Sequence, residues 1–367
     1  MGSVLIMILI NKKILVLVMV IFIFSSVSVV AEDNQMGLRT ILDRVLKENV
    51  DLKLAELSLK EARISYKKSN LQNLMTNSKL QALMAELQMI QSEENYRTQK
   101  NGIIIDIASK YLDIIKVKQK INTNENEVQL ERNKVEKIKA EVEVGYKGKL
   151  DLFNQQTAYQ DKVNSLEMNR ESMQQKVKVL KQKAGIDQND KVRIEIIKLE
   201  KPKKWVITEA EAIKTAIENS SVIEIRKKQF KVAESDLERA KISGTPKLDL
   251  QQKEIALKKS KLNLSRETQN IENSVQNQFF QYKQALKSMN IAEKMMVQAN
   301  EQYKIIKEQY QAGLVSKNDL LTAEVNSMKS AEGLTSAIIN YYINKFRLQD
   351  VIGMKLEVNI NSEEDSA

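Results

Sequence analysis

Two aspartates recur in the same surroundings. Asp151 follows Gly145 by six residues, Asp319 follows Gly313 by six, and a leucine comes directly after each aspartate. A carboxylate just ahead of an apolar helical stretch suits a helix N-terminus, where it complements the free N–H groups and the helix dipole. Other reactive groups are scarce. The chain has 0 Cys and 0 His, which removes thiol and imidazole nucleophiles, the commonest general base, and the usual zinc, copper and haem ligands. Carboxylate, lysine, serine and tyrosine chemistry remain. The sequence offers no Gly-rich phosphate loop and no isolated carboxylate pair suited to a cleft. It therefore reads as a non-enzyme, with no catalytic residue, cofactor or metal site expected.

The elements that must position these aspartates are helices. In 367 residues there are 2 Pro and 10 Gly, charged residues make up 29% and aromatics 5%. Few breakers among abundant Lys, Glu, Gln, Leu, Ile and Val mark long helices or coiled coils. The net charge is +10, yet Lys and Glu are interspersed and no basic block carries aromatic interleaving. That is the pattern of solvated helix faces, and no nucleic-acid partner is expected.

The chain contains an internal repeat. A shift of 168 positions lays Lys79-Leu80 on Lys247-Leu248, Tyr111 on Phe279, Gly145 on Gly313, Asp151-Leu152-Phe153 on Asp319-Leu320-Leu321, and Gly185 on Gly353. Glu48-Asn49 and Glu218-Asn219 match with a slip of two residues. Each unit reads as three helices and two breaks. The first break is Thr76-Asn77-Ser78 or Gly244-Thr245-Pro246, and the second is Gly145-Tyr146-Lys147-Gly148 or Gly313-Leu314-Val315-Ser316. The third helix ends near Gly185 or Gly353, as a glycine C-cap predicts. Its apolar stripe (Leu152, Tyr159, Val163, Leu166, Met173, Val177 and Leu180, then Leu320, Leu334, Ile338, Tyr341, Leu348 and Ile352) has coiled-coil spacing and is expected to be core.

Helix lengths constrain the architecture. Leu80 to Val144 would span roughly 97 Å, Leu38 to Thr76 roughly 58 Å and Leu150 to Ala184 roughly 52 Å. Each unit is thus expected to lay one long helix beside two stacked shorter ones. Two such pairs are too thin to bury their seams, so self-association into a closed ring is the natural remedy. The expected boundaries are repeat 1 over 38–185, a connector over 186–206 with Pro202 and the sole Trp205, repeat 2 over 207–353, and a C-terminal segment over 354–367. Two alternating segments, Val192–Ile196 and Leu356–Ile360, resemble brief edge strands.

The N-terminus differs in kind. Lys12 and Lys13 precede an apolar run from Ile14 to Phe24 and a small-residue stretch that ends at Ala31. This describes a secretory signal peptide over 1–31. The rival, an uncleaved anchor, would have to span with the 18 residues from Ile14 to Ala31, against about 20 per crossing. Without Cys a lipid-anchored N-terminus is excluded. On either reading the protein works outside the cytoplasm.

Together these features resemble the TolC-like outer-membrane efflux protein family over roughly residues 38–360. The strongest segment, Tyr310-Gln311-Ala312-Gly313-Leu314-Val315-Ser316-Lys317-Asn318-Asp319-Leu320-Leu321-Thr322-Ala323, is similar to that family's Tyr-x-x-Gly tip followed by Asp-Val/Leu-Leu-x-Ala. Copy one keeps Val144-Gly145 and Asp151-Leu152, and an aromatic (Tyr111, Phe279) sits 34 residues before each tip glycine. The resemblance implies an all-α unit forming part of a homotrimeric α-barrel, an exported envelope location, and tips that dock a periplasmic adaptor (membrane fusion) protein serving an inner-membrane pump. The adaptor-docking positions implied are Val144, Gly145, Tyr146, Ala312, Gly313 and Leu314. Asp151, Tyr310 and Asp319 match the entrance or gate, where a ring of carboxylates would favour cations; helix capping by the same aspartates is the other reading. Val315 stands where some members carry a basic residue.

One departure is large. The family inserts two membrane strands per unit between its first and second helices, and each strand needs about 9–11 residues. The breaks at 76–78 and 244–246 leave no room, so the helical barrel is expected without the membrane barrel. Two functions follow: a duct of an efflux or type I secretion system, or a non-transporting envelope spacer or scaffold reusing the same helical fold. In a host without an outer membrane, the location would be the extracytoplasmic surface.

Overall fold

A computed structural model describes residues 35–76, 79–187, 192–358 and 360. The expected signal segment at 1–31 lies outside the described residues, as do Asn77 and Ser78 of the first break. Eight helices and two short strands are present among the described residues. They are β1 (Gln35–Met36), α1 (Leu38–Glu48), α2 (Val50–Thr76), α3 (Lys79–Glu143), α4 (Lys149–Lys183), β2 (Arg193–Ile194), α5 (Glu209–Asn219), α6 (Ser221–Ile242), α7 (Lys247–Gln311) and α8 (Lys317–Val351).

The described residues fall into two compact units. The smaller holds β1 and β2, which pair in parallel with Gln35 opposite Arg193 and Met36 opposite Ile194. Expectation and structure differ here in two ways. The strand expected over Val192–Ile196 shortens to two residues and takes Gln35–Met36 as its partner, while Leu356–Val358 stays irregular. Only Gln35 and Met36 are described on the partner side before Gly37 and the start of α1 at Leu38.

The larger unit holds all eight helices. The 168-residue shift carries α3 onto α7 and α4 onto α8, residue for residue at both ends. The first helix of each unit is not continuous, contrary to the expectation of three helices per unit. It breaks at Asn49 and at Ser220, and α2 maps onto α6 with a shift of 171. The reason is local. The Asn49 side chain accepts from Leu52 N–H at 2.9 Å and the Ser220 hydroxyl from Ile223 N–H at 3.2 Å, so each residue caps the helix that follows it. The break improves the length match. With α1 set apart, α2 and α4 end to end run about 93 Å beside the roughly 97 Å of α3.

The helices form a row of staves. The stack α2/α4 lies on α3, α3 lies on the stack α6/α8, and that stack lies on α7. Helix α1 packs on α3 and α5 on α7. The core runs along these seams. Ile107, Ala108, Tyr111, Leu112 and Ile114 are buried on α3, and Ile338, Tyr341, Phe346 and Leu348 on α8. The α3–α8 seam joins the two repeats. There Glu127 of α3 takes Lys329 of α8 at 2.6 Å and Lys162 of α4 at 3.2 Å. Burial pushes the Glu127 carboxyl up, and the two ammonium groups outweigh it, leaving the group below its ordinary value. Higher on the same seam, Arg97 pairs with Asp350 at 3.0 Å.

The connector is fastened through its tryptophan. Tyr282 donates to the Trp205 carbonyl at 2.7 Å, Trp205 N–H donates to the Tyr341 hydroxyl at 3.2 Å, and the Trp205 and Tyr282 rings meet edge-on at 5.5 Å.

Candidate docking tips and entrance

Both second breaks lie at the same end of the helical unit, because α8 runs antiparallel to both long helices. Leu130 of α3 clusters with Leu321 and Val325 near the start of α8. Asn300 of α7 accepts from Ser327 of α8. The turns after α3 and α7 therefore face the same way, opposite to the end that holds Thr76, Lys79 and the 242–247 turn.

The two tips share one backbone solution. After α3, Gly145 N–H bonds to the Val142 carbonyl at 3.1 Å and Tyr146 N–H to the Glu141 carbonyl at 2.8 Å, with Gly145 at φ 80°. After α7, Gly313 N–H bonds to Tyr310 at 3.0 Å and Leu314 N–H to Gln309 at 2.9 Å, with Gly313 at φ 74°. This pair of bonds closes a helix end only when its C′ residue is left-handed, which is why glycine recurs there. Nothing lies within 4 Å of where a Cβ would stand at either glycine. The requirement is conformational, not spatial.

The next helices start on the aspartates. The Asp319 carboxylate accepts from Ser316 N–H at 2.9 Å and from the Ser316 hydroxyl at 2.6 Å, while Asp319 N–H donates back to that hydroxyl at 3.2 Å. These bonds, with Lys137 of α3 as a weaker influence, hold the Asp319 carboxyl below its ordinary value. At the first tip Gly148 replaces the serine, so only half the arrangement survives: Gly148 N–H donates to Asp151 Oδ2 at 3.0 Å. Both aspartates thus cap helices, one of the two roles the sequence left open. Ser316 was readable from its Ser-x-x-Asp spacing as a cap; the influence of Lys137 across the α3–α8 seam was not.

The expected docking residues gather at these turns and face solvent. Val144 is 68% exposed, Tyr146 86% and Leu314 75%. Gly145, Ala312 and Gly313 are exposed between them, and so are Asp151 and Asp319. Leu150 and Phe153, not among the expected docking residues, extend the apolar surface of the first tip just past Gly148. Tyr310 sits one turn back on α7 and is exposed; its carbonyl takes the Gly313 N–H. Of the two upstream aromatics, Tyr111 is fully buried and Phe279 is half-buried beside Tyr282.

No sequence family and no curated protein matches the chain. Solved structures do. The outer membrane protein VceC from Vibrio cholerae matches with a TM-score of 0.60 at 14% identity, over 87% of this chain and 97% of that one. The Campylobacter jejuni CmeC outer membrane channel matches at 0.61 and 13%, over 89% and 87%. The open state of the Neisseria gonorrhoeae MtrE outer membrane channel matches at 0.58 and 13%, over 86% and 89%. The fold of this chain is TolC-like. It carries no closed β-barrel among the described residues, and no described helix is long and apolar enough to cross a membrane.

Proposed function

We propose that this chain is the duct component of an efflux or type I secretion assembly, built as a trimeric helical barrel that docks a hairpin adaptor through its tips. The observation that carries the reading is the matched pair of tips. Two glycine turns with one hydrogen-bonding scheme, at the same end of the unit, present Val144, Tyr146 and Leu314 to solvent. A monomer gains nothing from apolar side chains held rigidly outward, whereas a helical-hairpin partner supplies the cover they lack. The TolC-like fold supports the reading, since its solved examples include outer membrane channels. In this reading Asp151, Asp319 and Tyr310 stand around the entrance, and the capping role of the aspartates is compatible with a carboxylate ring there.

The test is site-specific photocrosslinking in exporting cells, with the reactive group at Tyr146 or Leu314. A covalent adduct with a coiled-coil adaptor supports docking. Adducts only from mid-helix positions such as Lys287, with none from the tips, contradict it.

A second reading is favoured by a different observation. Helix α2 ends at Thr76 and α3 begins at Lys79, while α6 ends at Ile242 and α7 begins at Lys247. Only two and four residues separate these helix ends, against about 9–11 for one membrane strand, which suits a non-transporting envelope spacer or scaffold. Gene deletion separates the two: an export defect with an intact envelope supports the duct, and an envelope defect with normal export supports the scaffold.

A further inference from the structure

The two flanks of the stave row carry exposed apolar residues in heptad register. On α2 they are Val50, Leu57 and Ile64; on α7 they are Leu248, Ile255 and Leu262. Each of these six side chains is more than half exposed, from 54% at Leu57 to 75% at Leu248. Spacing of seven residues keeps each set of three on one stripe of its helix, a single heptad position of a coiled-coil seam.

The internal repeat says what covers them. Within the chain, α3 is flanked by α6 and α8 of the following repeat. Helix α7 is the repeat of α3, and α2 and α4 are the repeats of α6 and α8. The flank of α7 that corresponds to the covered flank of α3 has no following repeat in the chain. The α2/α4 flank of a second copy has the matching shape. The contact inside the chain also sets the register. Glu94 of α3 meets Ser221 of α6, with the Ser221 hydroxyl 3.3 Å from the Glu94 carboxylate. The repeat carries Glu94 to Leu262 and Ser221 to Val50. In an antiparallel pair, that one contact brings Leu57 against Ile255 and Ile64 against Leu248. Three exposed apolar residues on each flank thus meet at successive heptads. Further toward the tips, Thr335 of α8 bonds to Gln119 of α3. The repeat turns that pair into Glu167 of α4 and Lys287 of α7, two opposite charges that are exposed and form no ion pair among the described residues.

We infer that α7 of one copy zips against α2 and α4 of the next in this register, with Val50·Leu262, Leu57·Ile255 and Ile64·Leu248 as an apolar clasp and Glu167·Lys287 as an ion pair nearer the tips. The inference rests on the ring assembly proposed above and adds its seam. At the matching positions inside the chain the contacts are polar, Glu86–Lys228 and Glu94–Ser221. The apolar clasp lies toward Thr76, Lys79 and the 242–247 turn, the end where the connections are too short for membrane strands.

The chain has no Cys, so paired cysteines report without background. The full exported chain carrying Val50→Cys and Leu262→Cys is treated with a short bismaleimide, and native mass is measured in parallel. The expected result is a trimer by mass and a covalent ladder ending at trimer. The control pair Val50→Cys with Leu248→Cys is out of register by two heptads, roughly 21 Å, and is expected to link at most one-tenth as much. In a second variant, Leu57→Glu, the concentration at which the trimer dissociates is expected to rise at least tenfold. A trimer that links equally in both pairs, or whose dissociation Leu57→Glu leaves unchanged, overturns the seam and spares the ring. Monomer at every concentration overturns both.

Discussion

Asp319 begins a helix by holding both the backbone and the hydroxyl of Ser316. Its carboxyl sits below the ordinary carboxylate value, 3.8 for aspartate. A group depressed on folding adds stability that is fully present above its unfolded value and is lost as pH falls through the lower folded value. The difference in denaturation midpoint between the native chain and Asp319→Ala should therefore be constant above pH 3.8 and shrink below it. A difference that grows on acidification would contradict the cap. Ser316→Ala removes the hydroxyl that both gives and takes hydrogen bonds, and should cost about 1 kcal/mol by chemical denaturation. The glycines divide by surroundings. Gly313→Ala forces a left-handed alanine into open space, at about 1–2 kcal/mol. Gly353 has φ 71°, and a Cβ there would stand 2.7 Å from the Asn219 Cβ. Gly353→Ala should thus destabilise more than Gly313→Ala; equal losses would show that conformation alone decides both. At this scale the sequence was informative about the tips, because glycine and aspartate are needed there for local backbone reasons. It was silent on Lys137 and Ser221, whose partners are more than a hundred residues away.

Among elements, the tip-side helices were legible to within a residue or so. Expected limits of Leu80–Val144 and Leu150–Ala184 became Lys79–Glu143 and Lys149–Lys183, since glycine turns punctuate both. The breaks at Asn49 and Ser220 were missed because no glycine or proline stands there and only side-chain capping marks the interruption, although Asn49, Asn219, Ser220 and Ser221 are residues that caps favour. Asn49→Ala should remove the cap of α2 and cost about 1 kcal/mol, read as a loss of amide exchange protection confined to the first turn of that helix. No loss there would mean the break is set by packing. The joint between the repeats depends on Glu127, whose side chain is 10% exposed between two lysines. Glu127→Gln should cost about 1 kcal/mol: the charge-assisted bonds are worth more, but both lysines reach solvent. A neutral result would place the strength of that joint in the apolar contacts of Leu130, Leu321 and Val325.

For the whole molecule, four staves bury three seams and leave two flanks. Composition and the 168-residue repeat foretold that the chain needs neighbours, but which residues meet them depended on seeing how α3 is covered. The missing membrane strands were equally legible, as connections too short to hold them. What the opposite end touches is a property of another surface, and no spacing in this chain encodes it. In the proposed assembly the staves of three copies close around an opening. End-on electron-microscopy averages of the purified exported chain should show a closed ring with three-fold repeats and a central hole. An open, single curved row of helices, or a solid particle with no hole, would contradict it.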